Sequence, residues 1–239
     1  MKNPAADRLR DGFRYRGREV TRLEVFVDAA FAFAVTLLVV SIDAIPDSVD
    51  ALVAALKGAP AFGVSLVMIA LFWTAHARWS RRYGLDDALT TVLSITFVFF
   101  VLLYVYPLKM LFTTFFGWIT GGWLPYGMRI AGAEDILKVF AIYAAAFISL
   151  SLCMAGLYAN AWRQRDLLEL DAFEREGTAG ETATLLYFAL VGLLSLTLAI
   201  ALPGNSSPWI ASLPGMLYFL LSFTGLADRI GRGWARRRA

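Results

Sequence analysis

The chain has 239 residues, 59% of them hydrophobic and only 17% charged, with a net charge of +3 and a mean hydropathy of +0.62. Soluble domains are nearer to about 45–50% apolar and about 25% charged. Here the apolar excess collects in runs of roughly 20 residues, enough for a helix to cross about 30 Å of hydrocarbon. A soluble globular protein is excluded, and the mild basicity reads as membrane topology rather than nucleic-acid binding.

Six spans are expected, at approximately 23–42, 60–79, 88–112, 136–161, 183–203 and 208–227. Residues 1–239 thus read as one all-α, polytopic, six-helix transmembrane domain. Breaks fall at Asp43 to Pro46, Gly58 to Pro60, Gly84 to Asp87, and Pro203 to Pro208, where turn-forming residues interrupt the apolar pattern. Pro107 and Pro214 lie in or beside spans, where neighbouring helices can satisfy the freed carbonyls. Phe112 to Asp135, with Trp118, Trp123 and Tyr126, reads as an interfacial loop or short re-entrant element. The acidic stretch Asp166 to Glu181 reads as a helix end and linker. The first span carries Glu24 and Asp28 near its start and meets no small-residue cleavage site, so it reads as a retained helix rather than a signal peptide.

Charge orients the spans. Eighteen of the 22 Lys and Arg residues fall on one side of the alternation: seven before the first span, three each in the second–third and fourth–fifth connections, and five at the C-terminus. The other side holds Lys57, Lys109, Arg129 and Lys138. The excess of basic residues marks the cytoplasmic side, so both termini are expected inside. Sequence style points to a multi-pass protein of a bacterial inner membrane.

The residues able to carry chemistry begin in the first span. Glu24 and Asp28 are four apart and share a helix face. Arg22 and Glu24 read as headgroup-level residues. Asp28 lies deeper and calls for a buried partner or a water-filled vestibule, because an intramembrane charge is costly. Phe33, Thr36, Leu37 and Val40 follow at i, i+3, i+4 and i+7, a stripe that serves either as a helix packing seam or as a pore lining. In the second span, His76 can pair with Asp28 or Glu24, or cap its own helix beside Arg78, while Trp73 and Trp79 suit the interface. His76 is the only histidine and Cys153 the only cysteine, which argues against a disulfide, a metal centre and a Ser–His enzyme. The sequence contains no carbonyl-filter TVGYG motif, no Arg-rich voltage-sensing helix and no Walker A loop.

The pattern Arg22-x-x-x-Phe26-x-Asp28, leading into an apolar helix with Thr36 and followed by Trp73-x-x-His76, resembles the transmembrane protein 175 family of potassium channels in its bacterial six-span form. Val27 stands where that family carries a serine, and Phe33 where it usually carries isoleucine or leucine. The resemblance implies a homotetramer with the first helix of each subunit around a central pore. It implies apolar rings at Phe33, Leu37 and Val40 with a hydroxyl layer at Thr36, and a polar cluster of Arg22, Asp28, Trp73 and His76 between helices.

The leading expectation is therefore a passive, potassium-preferring cation channel in the lipid bilayer, with no cofactor and no resident metal. Selection would come from partial dehydration at the Phe33 and Leu37 rings, with Glu24 and Asp28 concentrating cations at the cytoplasmic mouth. The alternatives are a secondary or proton-coupled transporter using Asp28 and His76, and a non-conducting membrane scaffold.

Overall fold

The computed structural model describes residues 8–40 and 47–237, the side chain of Val40 excepted. Among the described residues the regular structure is helical, apart from one antiparallel bridge between Arg8 and Arg14. The order is α1 (Arg22–Val40), α2 (Val49–Leu56), α3 (Ala59–Tyr83), α4 (Ala88–Ile119), α5 (Ala133–Arg163) and α6 (Ala172–Ala201). Then come α7 (Pro208–Ala211), α8 (Leu213–Met216), a 3-10 segment (Leu217–Phe223) and α9 (Thr224–Arg236).

Four helices, α3 to α6, are long and apolar enough to cross a membrane. α1 has 19 residues, about 28 Å at 1.5 Å per residue. Helices α1, α3, α4 and α5 share a core built around Leu38, Trp79, Tyr83, Phe97 and Leu157. α6 lies along α5, and α9 packs on α6 beside α5. Phe99, Leu103, Ile142, Leu190 and Ile200 stay exposed, an apolar belt suited to hydrocarbon rather than water.

Several expected boundaries are corrected. α2 forms in the first connection, started by the Ser48 hydroxyl, which accepts from the Ala51 N–H at 3.2 Å. α4 continues to Ile119, so the connection expected to begin at Phe112 is reduced to residues 120–132. Pro107 lies inside this helix, where it frees the Leu103 carbonyl, and the Tyr143 hydroxyl of α5 donates to the Pro107 carbonyl. α6 starts at Ala172 rather than 183, because Asp171 and Glu174 form a capping box. The expected span 208–227 is a broken helix running on to Arg236. Pro214 and Gly215 interrupt it, and Gly215 crosses so close to α5 that a Cβ there would lie 2.4 Å from the Phe140 ring. The expected break at Asp43 to Pro46 lies outside the described residues.

The segment before α1 forms a strap across the ends of α3 and α6. It folds back at Gly12, whose φ of 87° favours glycine, and the Leu9 N–H donates to the Phe13 carbonyl at 2.8 Å. Phe13 is buried edge-on against Tyr83 and Phe173. The Arg16 and Gly17 N–H groups donate to the Arg81 carbonyl at 3.1 and 3.2 Å. A Cβ at Gly17 would fall 2.5 Å from the Ser80 carbonyl oxygen, so only glycine permits this approach. The strap leads directly into α1.

Candidate functional site

α1 has two unlike faces. Val27, Phe31, Ala34 and Leu38, at i, i+4, i+7 and i+11, are 0–4% exposed and pack into the core. The opposite face carries Phe26, Ala29, Phe33 and Thr36, all exposed, with Phe33 at 55%. The Thr36 hydroxyl donates to the Ala32 carbonyl at 3.0 Å, which leaves its lone pairs directed outward. Leu37 sits on the flank, half-buried against the core. Val40 closes the helix, but its side chain lies outside the described residues.

At the start of α1, Thr21 and Glu24 cap the helix reciprocally. The Glu24 N–H donates to the Thr21 hydroxyl at 3.2 Å and the Thr21 N–H to the Glu24 carboxylate at 3.0 Å. The Ser80 hydroxyl of α3 donates to the other Glu24 oxygen at 2.5 Å. One turn further, the Trp73 indole N–H donates to Asp28 Oδ1 at 2.7 Å. Asp28 and Trp73 line the mouth of a cavity of about 320 Å³ between α1 and α3, floored by Phe31, Val35 and Ile69.

The expected cluster of four is divided. Asp28 and Trp73 meet, whereas His76 turns the other way. It is 3% exposed, its Nε2 lies 2.9 Å from Ser94 Oγ of α4, and its ring stacks on Phe97 at 5.9 Å. The two rings, three residues apart on α3, take different partners: the Trp73 indole N–H is directed to Asp28 of α1, and the His76 ring lies against Ser94 and Phe97 of α4. Arg22 is exposed and makes no hydrogen bond or ion pair with another described residue.

Sequence reasoning treated the basic N-terminal segment only as a topology signal and missed the polar network it builds. Glu174 is fully buried and accepts from the Arg14 N–H at 2.7 Å and from the Arg16 guanidinium at 2.7 and 2.9 Å. Arg82, 5% exposed, pairs with Asp11 at 3.0 Å and Glu181 at 3.1 Å, and stands 4.2 Å over the Phe13 ring. The Tyr83 and Thr178 hydroxyls are 2.8 Å apart. Arg8 meets Asp171 at 2.7 Å. Partial burial favours the neutral form of Asp171, but the Arg8 guanidinium and the Glu174 N–H outweigh it and hold this carboxyl below its ordinary range. The legible signals were the D-x-x-E capping box and the alternate spacing of Arg14 and Arg16, an extended-chain pattern. Among the described residues no group of three or more His, Cys, Asp or Glu could hold a metal ion.

Residues 22–107, from the start of α1 into the middle of α4, match the family described as endosomal/lysosomal potassium channel TMEM175. A protein of Marivirga tractuosa named "Potassium channel" is 33% identical over 221 residues, covering 89% of this chain and 87% of that protein. Among solved structures, a variant of the potassium channel MtTMEM175, crystallised with a nanobody–MBP fusion protein, superposes with a TM-score of 0.81. Its identity to this chain is 29%, over 93% of this chain and 97% of that one.

Proposed function

This chain belongs to the TMEM175 potassium channel family, and from that premise we propose that it conducts potassium ions passively through a pore built on α1. The family and the similar proteins are ion channels, not enzymes. The proposed assembly is a homotetramer in a bacterial inner membrane. Its six spans are α1, α3, α4, α5, α6 and the broken helix from Pro208 to Arg236, with both termini in the cytoplasm.

The observation that carries this reading is the outward face of α1, which stays exposed among the described residues although the opposite face is packed. Four copies of that face around an axis would put Phe33 rings at one level and Thr36 hydroxyls at the next, with Leu37 on the flank of the lining and Val40 toward the far end. An ion passing an apolar ring must shed part of its hydration shell, and a ring narrow enough to dewet closes the path. Potassium, being less tightly hydrated than sodium, is favoured by such a barrier. Asp28, and Glu24 beneath it, add negative potential at the entrance. The separate Asp28–Trp73 and His76–Ser94 pairs offer no direct Asp28–His76 proton relay, so no observation favours a proton-coupled carrier.

The test is ion flux from purified protein in K⁺-loaded liposomes, with Na⁺ and an impermeant cation as controls. Wild type is expected to give a K⁺-preferring leak, and Phe33→Ala a larger and less selective one. Unchanged flux in the variant removes Phe33 from the pore, and silence in both removes the channel reading.

A further inference from the structure

We propose that the groove between α5, α6 and α9 binds one anionic phospholipid, its acyl chain in the groove and its phosphate held by Arg165 and Arg237. The inference rests on the membrane reading above, with the C-terminus on the cytoplasmic side.

α9 is fixed on α6 by close packing and by charge. A Cβ at Gly231 would lie 2.4 Å from the Ala179 carbonyl oxygen, so the two backbones touch. Arg236 meets Glu176 of α6 at 2.8 Å, and Arg232 is spent on Asp228 at 2.7 Å. With Gly231 and Ala235 turned inward, Leu226, Ile230 and Trp234 form an outward ridge at i, i+4 and i+8, exposed by 60%, 63% and 41%.

Between this ridge and the neighbouring helices runs a groove of about 310 Å³, bounded by Ala159 and Trp162 of α5 and by Thr182 and Leu186 of α6. Its only side-chain hydroxyl, that of Thr182, donates to the Thr178 carbonyl at 2.8 Å. Apart from the two indoles at one end the lining is apolar, so the occupant that fits it is hydrocarbon.

One end of the groove has a different chemistry. The Trp162 and Trp234 rings lie 5.2 Å apart, an aromatic pair of the kind found at headgroup depth. The Arg165 guanidinium stands 5.3 Å over the Trp162 ring and donates from Nη1 to the Trp162 carbonyl at 3.2 Å, while its contact with Asp166 is long, 3.9 Å, because that carboxylate is engaged by Arg175 at 2.7 Å. Arg237 follows Trp234 by three residues, on the same face, exposed and without an acidic partner among the described residues. The other acids of this end, Glu176 and Asp228, already face Arg236 and Arg232. An apolar channel closed by an aromatic pair and two arginines matches an acyl chain that ends in a phosphate of net negative charge.

Native mass spectrometry of the full-length protein in detergent, titrated with phosphatidylglycerol or with phosphatidylcholine of the same chains, tests this. Wild type should retain phosphatidylglycerol in preference, by about fivefold for each arginine engaged. Arg237→Gln should lower that preference by about fivefold, and adding Arg165→Gln should remove it. Ala159→Phe, on the exposed wall of the groove, should lower retention of both lipids. Equal retention of both lipids by wild type, a preference untouched by the arginine changes, or retention unaffected by Ala159→Phe overturns the site. Flux in liposomes is measured on the same samples. A conducting protein without lipid preference overturns this site alone, whereas a silent protein with the preference intact overturns the channel reading alone.

Discussion

Where the strap crosses α3 and α6, the buried charges are matched inside the subunit: Glu174 is fully buried beneath Arg14 and Arg16, and Arg82 sits between Asp11 and Glu181. A few turns away, the outward face of α1 leaves Phe26 and Phe33 more than half exposed among the described residues. The strap end is polar and self-sufficient, whereas the α1 face is apolar and unfinished. That contrast separates what holds one subunit together from what awaits lipid, water or other copies of the chain. It also places the start of α1 between the two, because the strap runs into that helix through the Thr21–Glu24 cap.

The largest effect is expected at Glu174. Glu174→Ala strands Arg14 and Arg16 beside a cavity, and breaking a buried pair from one side costs about 3–5 kcal/mol. Unfolding in mixed micelles should report that loss. Glu174→Gln should cost less, since it keeps an acceptor oxygen and the side-chain shape. A neutral Glu174→Ala would mean that the strap is held by Phe13 packing alone, and the contrast with the α1 face would lose its electrostatic half.

The next prediction sharpens the comparison within one helix. Leu38→Ala empties a fully buried position and should cost about 2–5 kcal/mol. Phe33→Ala removes a larger side chain but from an exposed position, and should change subunit unfolding by no more than about 0.5 kcal/mol. Equal losses at the two sites would show that Phe33 is packed within the folded unit, and would break the division of α1 into a sealed face and an open one.

Hydropathy locates the interiors of α3, α4 and α5 because their apolar runs are long and uninterrupted. It misplaces the ends, because a helix leaves the apolar run without leaving the helix: α6 begins with Phe173, Glu174, Arg175 and Glu176, residues that no apolar count recognises. The stripe Phe33–Thr36 is legible from spacing, but spacing cannot say which side of a helix faces the core. In α1 that depends on whether Phe31 and Leu38 or Phe33 and Val40 meet α4, and only tertiary packing decides it. The Asp28–Trp73 contact follows from two residues that the sequence singles out, while the buried position of His76 does not. Its partner Ser94 is one serine among many, and carries no local signal. The strap escapes sequence reading for the same reason, since its arginines look like surface charge until Glu174 is placed under them.

The smallest effect concerns the outer edge of the strap, where Arg8 and Asp171 are both more than a third exposed and solvent screening keeps their pair weak. Because the folded carboxyl of Asp171 titrates below its ordinary value, its contribution is complete above that value and is lost as pH falls through the folded one. Protection of the Leu9 and Gly12 amides (exchange relative to the intrinsic rate at each pH), whose N–H groups are bonded within the strap turn, should therefore be unchanged from pH 7 to about pH 5 and should fall below about pH 4. Asp11, Glu169 and Glu174 share this end of the molecule, and Asp171→Asn isolates the contribution of Asp171. Asparagine caps α6 as well as aspartate does but cannot titrate, so the variant should exchange faster than wild type at pH 7 and approach it in acid. Parallel pH curves for the two proteins would assign the acid response to Glu174 and its arginines. The strap would then act as one buried electrostatic unit, with no separately titrating edge.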